Sequence, residues 1–235
     1  MQPSRVICRD TLSSLRRIQL ANKLRAITGW THLHFDQNGA LHFGNAQSAT
    51  GSQTARTLMG QVVFGSSVVI LEDASKRGHV AFSRVIPGKW NNHKANQETA
   101  YIVLIDFSDF EKLTGDREAL EAFDLGWALL HEFDHIANLS VDAENLDNTG
   151  ECEAHINQMR RESNLPERTR YFYTRYLTSA KNDFPTVYVR LPFERVNKTG
   201  KKERYWVVWD ATSRWLRCCR SVRFEALMPF LSVYG

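Results

Sequence analysis

The run Trp127-Ala128-Leu129-Leu130-His131-Glu132-Phe133-Asp134-His135-Ile136-Ala137 decides how this chain is read. On an α-helix, positions four apart share a face, so the imidazoles of His131 and His135 can reach one metal ion. Glu132 stands one residue round from the first histidine. This is the HExxH arrangement of zinc hydrolases, in which two histidines hold the metal and the glutamate serves as base. Leu120, Phe123, Trp127, Leu130 and Ala137 space like the buried stripe of one amphipathic helix, which places the motif on a packed helix. Asp134, between the histidines, is expected to face solvent or to pair with a basic neighbour.

A catalytic zinc takes three protein ligands and leaves its fourth position to water. The residue six positions after His135 is Val141, so no third histidine follows at the HExxHxxGxxH spacing. The next candidates lie in Asp147-Asn148-Thr149-Gly150-Glu151-Cys152-Glu153-Ala154-His155-Ile156-Asn157. Thr149 or Asn148 can cap a helix starting near Gly150, and early acidic residues suit its positive end. Glu153, Asn157 and Arg160 share one side of that helix, giving a ligand followed by polar groups that orient it. Glu153 is therefore the preferred third ligand. Glu151, on the side of His155 and Gln158, is the alternative.

His131-Glu132-Phe133-Asp134-His135, followed by Asn157, Arg160, Leu165, Pro166, Arg168 and Tyr171, resembles the bacterial HExxH metallopeptidase-like proteins. That group includes the zincin domains of RHS-type polymorphic toxins and of secreted effector proteases. Their second helix commonly ends in a similar Asn-x-x-Arg run, then Leu-Pro-x-Arg and an aromatic residue. The likeness covers about a fifth of the chain. It implies a zincin-like fold of the gluzincin type and peptidase activity, and it leaves the substrate open.

Composition sets wider bounds. A chain of 235 residues with 43% apolar and 24% charged residues can build one full core as an ordinary globular protein. It holds no apolar run long enough to cross a membrane, so no membrane partner is expected. Met1 to Arg25 is polar and basic without a signal-peptide core. The protein is therefore expected in the cytoplasm, or delivered by a dedicated secretion system without a Sec signal peptide. Cys8, Cys152, Cys218 and Cys219 show no CxxC pairing and read as reduced thiols, two of them buried, with Cys152 a packing residue.

Charge is uneven. Asp106 to Glu153 carries 14 acidic residues against Lys112 and Arg117, while Arg195 to Glu225 carries nine basic against three acidic. Solvated faces that partly pair with each other account for this, so nucleic acid is not the expected partner.

Along the chain, Thr11 to Thr28 has a helical period through Leu12, Leu15, Ile18, Leu20, Leu24 and Ile27, stopping at Gly29. His32 to Phe35 and Leu41 to Phe43 read as a hairpin across Asp36-Gln37-Asn38-Gly39. Its His32 and His34 are structural by preference. Ser52 caps a short helix to Met59. Val62–Phe64, Val68–Glu72, Val80–Ile86 and Tyr101–Ile105 read as strands, with a loop from Pro87 to Thr99. Val80–Ile86 or Tyr101–Ile105 would form an edge that holds substrate. Arg168 to Lys181 reads as a third helix. Thr186–Arg195 and Glu203–Asp210 read as a terminal hairpin.

The expected fold is α+β and zincin-like: an N-terminal mixed β-sheet, an active-site helix, a ligand helix and a small C-terminal β-unit. Residues 1–181 would form the metallopeptidase domain, and 182–235 a hairpin extension packed on it. The expected function is hydrolysis of peptide bonds by one Zn2+ per chain, held by His131, His135 and Glu153, with a zinc-bound water activated by Glu132. His155, Asn157, Arg160 and Tyr171 are candidates for orienting the ligands or stabilising the oxyanion. A protein or peptide would be the substrate, and an immunity or regulatory protein a further partner in a toxin or effector setting. The alternative is a regulatory protein, or one binding nucleic acid or a partner, whose HExxH site is not catalytic.

Overall fold

The computed structural model describes residues 4–44, 50–91, 97–144, 148–170, 174–177 and 187–212. In chain order the elements are β1 (Val6–Cys8), α1 (Ser14–Thr28), β2 (His34–Phe35), β3 (Leu41–His42), α2 (Gln53–Val63) and β4 (Val68–Asp73). Then come β5 (Ser83–Asn91), β6 (Gln97–Ile105), α3 (Phe107–Phe110), β7 (Leu113–Gly115), α4 (Arg117–Ala122), α5 (Leu125–Asn138) and α6 (Gly150–Glu162). The last are β8 (Glu167–Arg168), β9 (Thr174–Leu177), β10 (Val187–Val196) and β11 (Lys202–Asp210). The class is α+β.

The first sheet runs β1-β4-β6-β5. It is mixed: β1, β4 and β6 are parallel, and β5 lies antiparallel to β6 at the edge. The central β4, Val-Val-Ile-Leu-Glu-Asp, is buried over its first five residues, as a strand covered on both faces must be. Pro87 and Gly88, read as loop, lie inside β5, paired with Tyr101 and Ala100. An edge strand tolerates proline because the missing N–H faces away from the ladder. Most of the loop expected between Pro87 and Thr99 is thus hairpin.

Three other expectations change. Val62 and Val63 end α2 rather than form a strand, because Ala55, Leu58, Met59, Val62 and Val63 bury one helical face. Leu15 and Ile18 on α1 are exposed, so only the stripe from Leu20 onward packs. Glu167–Arg168 and Thr174–Leu177 are strands paired with β10, where a third helix was expected. Gly29 ends α1 at φ 74 and Ser52 Oγ caps α2 through Ala55 N, as expected, whereas Thr149 precedes α6 without a side-chain cap hydrogen bond.

The C-terminal hairpin does not stand alone. β10 and β11 pair with each other over Tyr188–Val196 and Lys202–Asp210, and recruit β7, β8 and β9 into one sheet. Phe123, Phe193, Val207 and Trp209 form a core beneath that sheet. The larger core lies between the first sheet and helices α1, α2, α5 and α6, with Trp127, Phe133, Ile156 and Met159 inside it. Among the described residues, no helix is long and apolar enough to cross a membrane.

Candidate metal centre

The stripe from Leu120 to Ala137 belongs to two helices. Asp124 interrupts it and caps α5, its carboxylate accepting from Gly126 N at 2.8 Å and Trp127 N at 3.3 Å. His131, Glu132 and His135 all lie on α5, and the rings of the two histidines meet edge-on at 4.8 Å.

The helix ends at Leu139, a non-glycine residue in the left-handed region at φ 54. This reverses the chain, and three contacts then fix the segment that follows. His135 Nδ1 donates to the Ser140 carbonyl at 2.7 Å. Glu151 N and Cys152 N, at the start of α6, both donate to the Val141 carbonyl. Asp142 bridges Gly150, whose φ of +76 and whose position, where an added Cβ would collide with Ala143 N, leave no room for a side chain.

Asp142 is thereby delivered to the histidine pair. Its Oδ1 lies 3.0 Å from His131 Nε2 and 3.5 Å from His135 Nε2. A tetrahedral zinc with bonds of about 2.0–2.1 Å separates its ligands by roughly 3.3 Å, close to both of these distances. The outer nitrogens are also directed. A carbonyl can only accept, so His135 carries its proton on Nδ1 and turns the Nε2 lone pair toward Asp142. His131 Nδ1 lies 3.6 Å from Glu153 Oε2. Carboxylate or carbonyl partners on the far nitrogen are what metal-binding histidines require.

Burial lowers the proton affinity of His131, but the hydrogen bond and charge of Asp142, with Glu153 and Glu132 beside it, overcome this and raise its pKa to about 9. Glu132 is buried, and its Oε1 accepts from Ser83 Oγ at 2.7 Å, which ties this carboxylate to the edge strand β5. Cys152 completes a group: single ligand atoms of His131, His135, Asp142 and Cys152 all lie within 4.8 Å of one another. Its Sγ contacts the His131 carbonyl at 3.3 Å. Burial, then the carboxylates of Asp134, Asp142, Glu153 and Glu132, push this thiol well above its usual range.

The residues carried by the resemblance build a different feature. Glu153 is buried and forms an ion pair with Arg160, and its Oε2 accepts from Arg168 Nη1 at 3.2 Å. Burial raises its pKa, but the charges of Arg160, Arg168 and His131 outweigh this and hold it at about 2. Arg160 also donates to the Ala122 carbonyl and to Asn157 Oδ1, and it lies between the Trp127 and Phe193 rings at 5.5 Å from each. Asn157 pairs with the backbone of Arg168 through both ends of its amide. These side chains lock α6 to α4, α5 and β8. Glu151 is exposed, and Tyr171 lies outside the described residues.

Asp134 is fully buried and pairs with His155, Oδ2 to Nδ1 at 3.0 Å, while Asn138 donates to its Oδ1. Both residues line a cleft of about 340 Å³ between α2, α5 and α6, with Thr54, Gln61 and Gln158 on its other walls. His131 and His135 do not line it.

No protein-family model, curated protein or solved structure matches the chain.

Proposed function

We propose that this chain is a zinc-dependent peptidase of zincin-like fold, with His131, His135 and Asp142 as metal ligands and Glu132 as the base. The observation that carries the reading is the convergence of two imidazole Nε2 atoms on one carboxylate oxygen, with His135 Nδ1 bound to an outer carbonyl and His131 Nδ1 3.6 Å from the Glu153 carboxylate. Zinc held there would supply a Lewis acid that polarises a peptide carbonyl and acidifies water. Glu132, fixed by Ser83, accepts a proton and delivers it to the departing amine. β5 lies at a sheet edge, where an extended peptide can add as a strand beside that base. Glu153 holds His131 in this reading, and its own charge is balanced by two arginines. The substrate class is protein or peptide, and a toxin or effector setting would add an immunity or regulatory partner.

The test compares wild type with Glu132→Gln on a peptide library whose new N-termini are tagged. Equal zinc content with cleavage lost in the variant supports the reading. Undiminished cleavage by the variant removes Glu132 from the chemistry. A non-catalytic metal protein is the second reading, favoured by Cys152, whose sulfur could close the coordination.

A further inference from the structure

Cys152 is 0% exposed and lies in the first turn of α6, directly before Glu153. Its backbone N–H is bound to the Val141 carbonyl, the residue before Asp142, so the thiol and the carboxylate are held by the same short segment. The S–H makes a weak contact with the His131 carbonyl at 3.3 Å, easily exchanged for a stronger partner. One ligand atom from each of the other three side chains lies within 4.8 Å of that sulfur. Thiolate is a preferred zinc ligand, and the N-terminal turn of a helix favours the negative charge it would carry.

Charge supports the same arrangement. Two neutral imidazoles, one carboxylate and one thiolate around a dication sum to zero, the state that costs least inside a protein. A site meant only to be closed has no need of a base. Glu132 is nevertheless buried on the same helix and fastened to Ser83.

We propose that Cys152 is the fourth protein ligand of the metal-loaded resting protein, closing the His131–His135–Asp142 site until the sulfur departs. This regulation rests on the peptidase reading of that site. As the metal–sulfur bond forms, the thiol proton leaves to solvent. On release the sulfur would regain a proton from solvent, leaving the His131–His135–Asp142 site open to water.

The test uses full-length protein stripped by a chelator and reloaded with cobalt(II) alone. Wild type should bind one equivalent and show sulfur-to-cobalt charge transfer in the near ultraviolet. Cys152→Ser should bind cobalt without that band, and His135→Ala should bind none. X-ray absorption on zinc-loaded wild type, which needs no variant, should show one sulfur at about 2.3 Å beside nitrogen and oxygen neighbours at about 2.0–2.1 Å. Cobalt bound with no charge transfer and only nitrogen and oxygen neighbours would overturn the role of Cys152 while leaving the metal site intact. No metal bound by wild type would overturn both. For regulation, Cys152→Ser should cleave library peptides at least tenfold faster than wild type at equal zinc occupancy; equal rates would refute the closed resting state.

Discussion

His135 and Ser140 are joined by a 2.7 Å hydrogen bond from the imidazole Nδ1 to the backbone carbonyl. That bond fixes the tautomer of the second histidine and, in the same stroke, the position of the chain two residues before Asp142. The orientation of His135 and the placement of Asp142 therefore depend on a single reversal after α5.

The assignment of Asp142 rather than Glu153 to the inner sphere has a direct test. Asp142→Ala should weaken zinc binding well beyond the roughly 10–100-fold loss expected when an outer partner is removed. Glu153→Gln should fall within that smaller range. Competition titrations with a zinc indicator on both variants read the difference, and the reverse order would return Glu153 to the inner sphere.

Metal affinity should depend on pH with a defined sign. His131 has its pKa raised from 6.5 to about 9, so the folded, metal-free protein holds a proton there at neutral pH. Zinc must displace it. The apparent affinity should strengthen about tenfold per pH unit on approach to pH 9, and this component should flatten above it. The same raised pKa stabilises the metal-free fold fully below pH 6.5, a contribution lost as pH rises through 9. An affinity constant from pH 6 to 8 would contradict the protonated His131–Asp142 pair.

Two backbone positions around Asp142 should respond oppositely to substitution. Gly150→Ala forces a side chain into positive φ against Ala143 and should cost about 1–3 kcal/mol. Leu139 is 73% exposed and already in the left-handed region, so Leu139→Gly should gain up to about 1 kcal/mol as strain falls against added chain entropy. Urea unfolding of the metal-free proteins measures both. A neutral Gly150→Ala would mean that the bridge to Asp142 relaxes without cost.

Arg160→Leu leaves Glu153 buried with only Arg168 as its close arginine partner and should destabilise the protein by roughly 3–5 kcal/mol. The acid limb should change as well. Glu153, depressed from 4.5 to about 2, contributes stability above its ordinary pKa that disappears as pH falls toward 2. In the variant that contribution should be smaller and fully lost at higher pH. Superimposable acid-unfolding curves would show that the Arg160 pair carries little of the stability.

The motif helix, the mixed sheet and the terminal hairpin are legible because each has a strong local period: four-residue spacing at His131 and His135, unbroken apolar runs in β4 and β6, alternation in β10 and β11. Asp142 is not legible for a physical reason. The sequence points to a histidine six positions after His135, which is absent, and then to Glu153 or Glu151 on the next helix, whereas the structure brings an aspartate seven positions after His135 beside the histidine pair, through a left-handed turn at a leucine that carries no glycine signal. Cys152 reads as packing because a sequence pattern registers only its burial, whereas its approach to His131, His135 and Asp142 comes with the fold. β1 is three residues long and finds its place only by pairing with β4. Segments β8 and β9 are helix-compatible in isolation and become strands because β10 offers them an edge.

The wall behind Arg160 has a bearing on the order of synthesis. Phe193, which covers one side of that guanidinium, lies on β10, and β10 pairs along its length with β11, which ends at Asp210. At about 5–20 residues per second, a ribosome takes roughly 3–10 s to travel from Arg160 to the end of that strand. During that interval the nascent chain already holds His131, His135, Asp142 and Cys152, but Arg160 has only half of its aromatic sandwich. A ribosome that stalls there would release a polypeptide with every metal-directed side chain present and a cation exposed where the finished protein has a core.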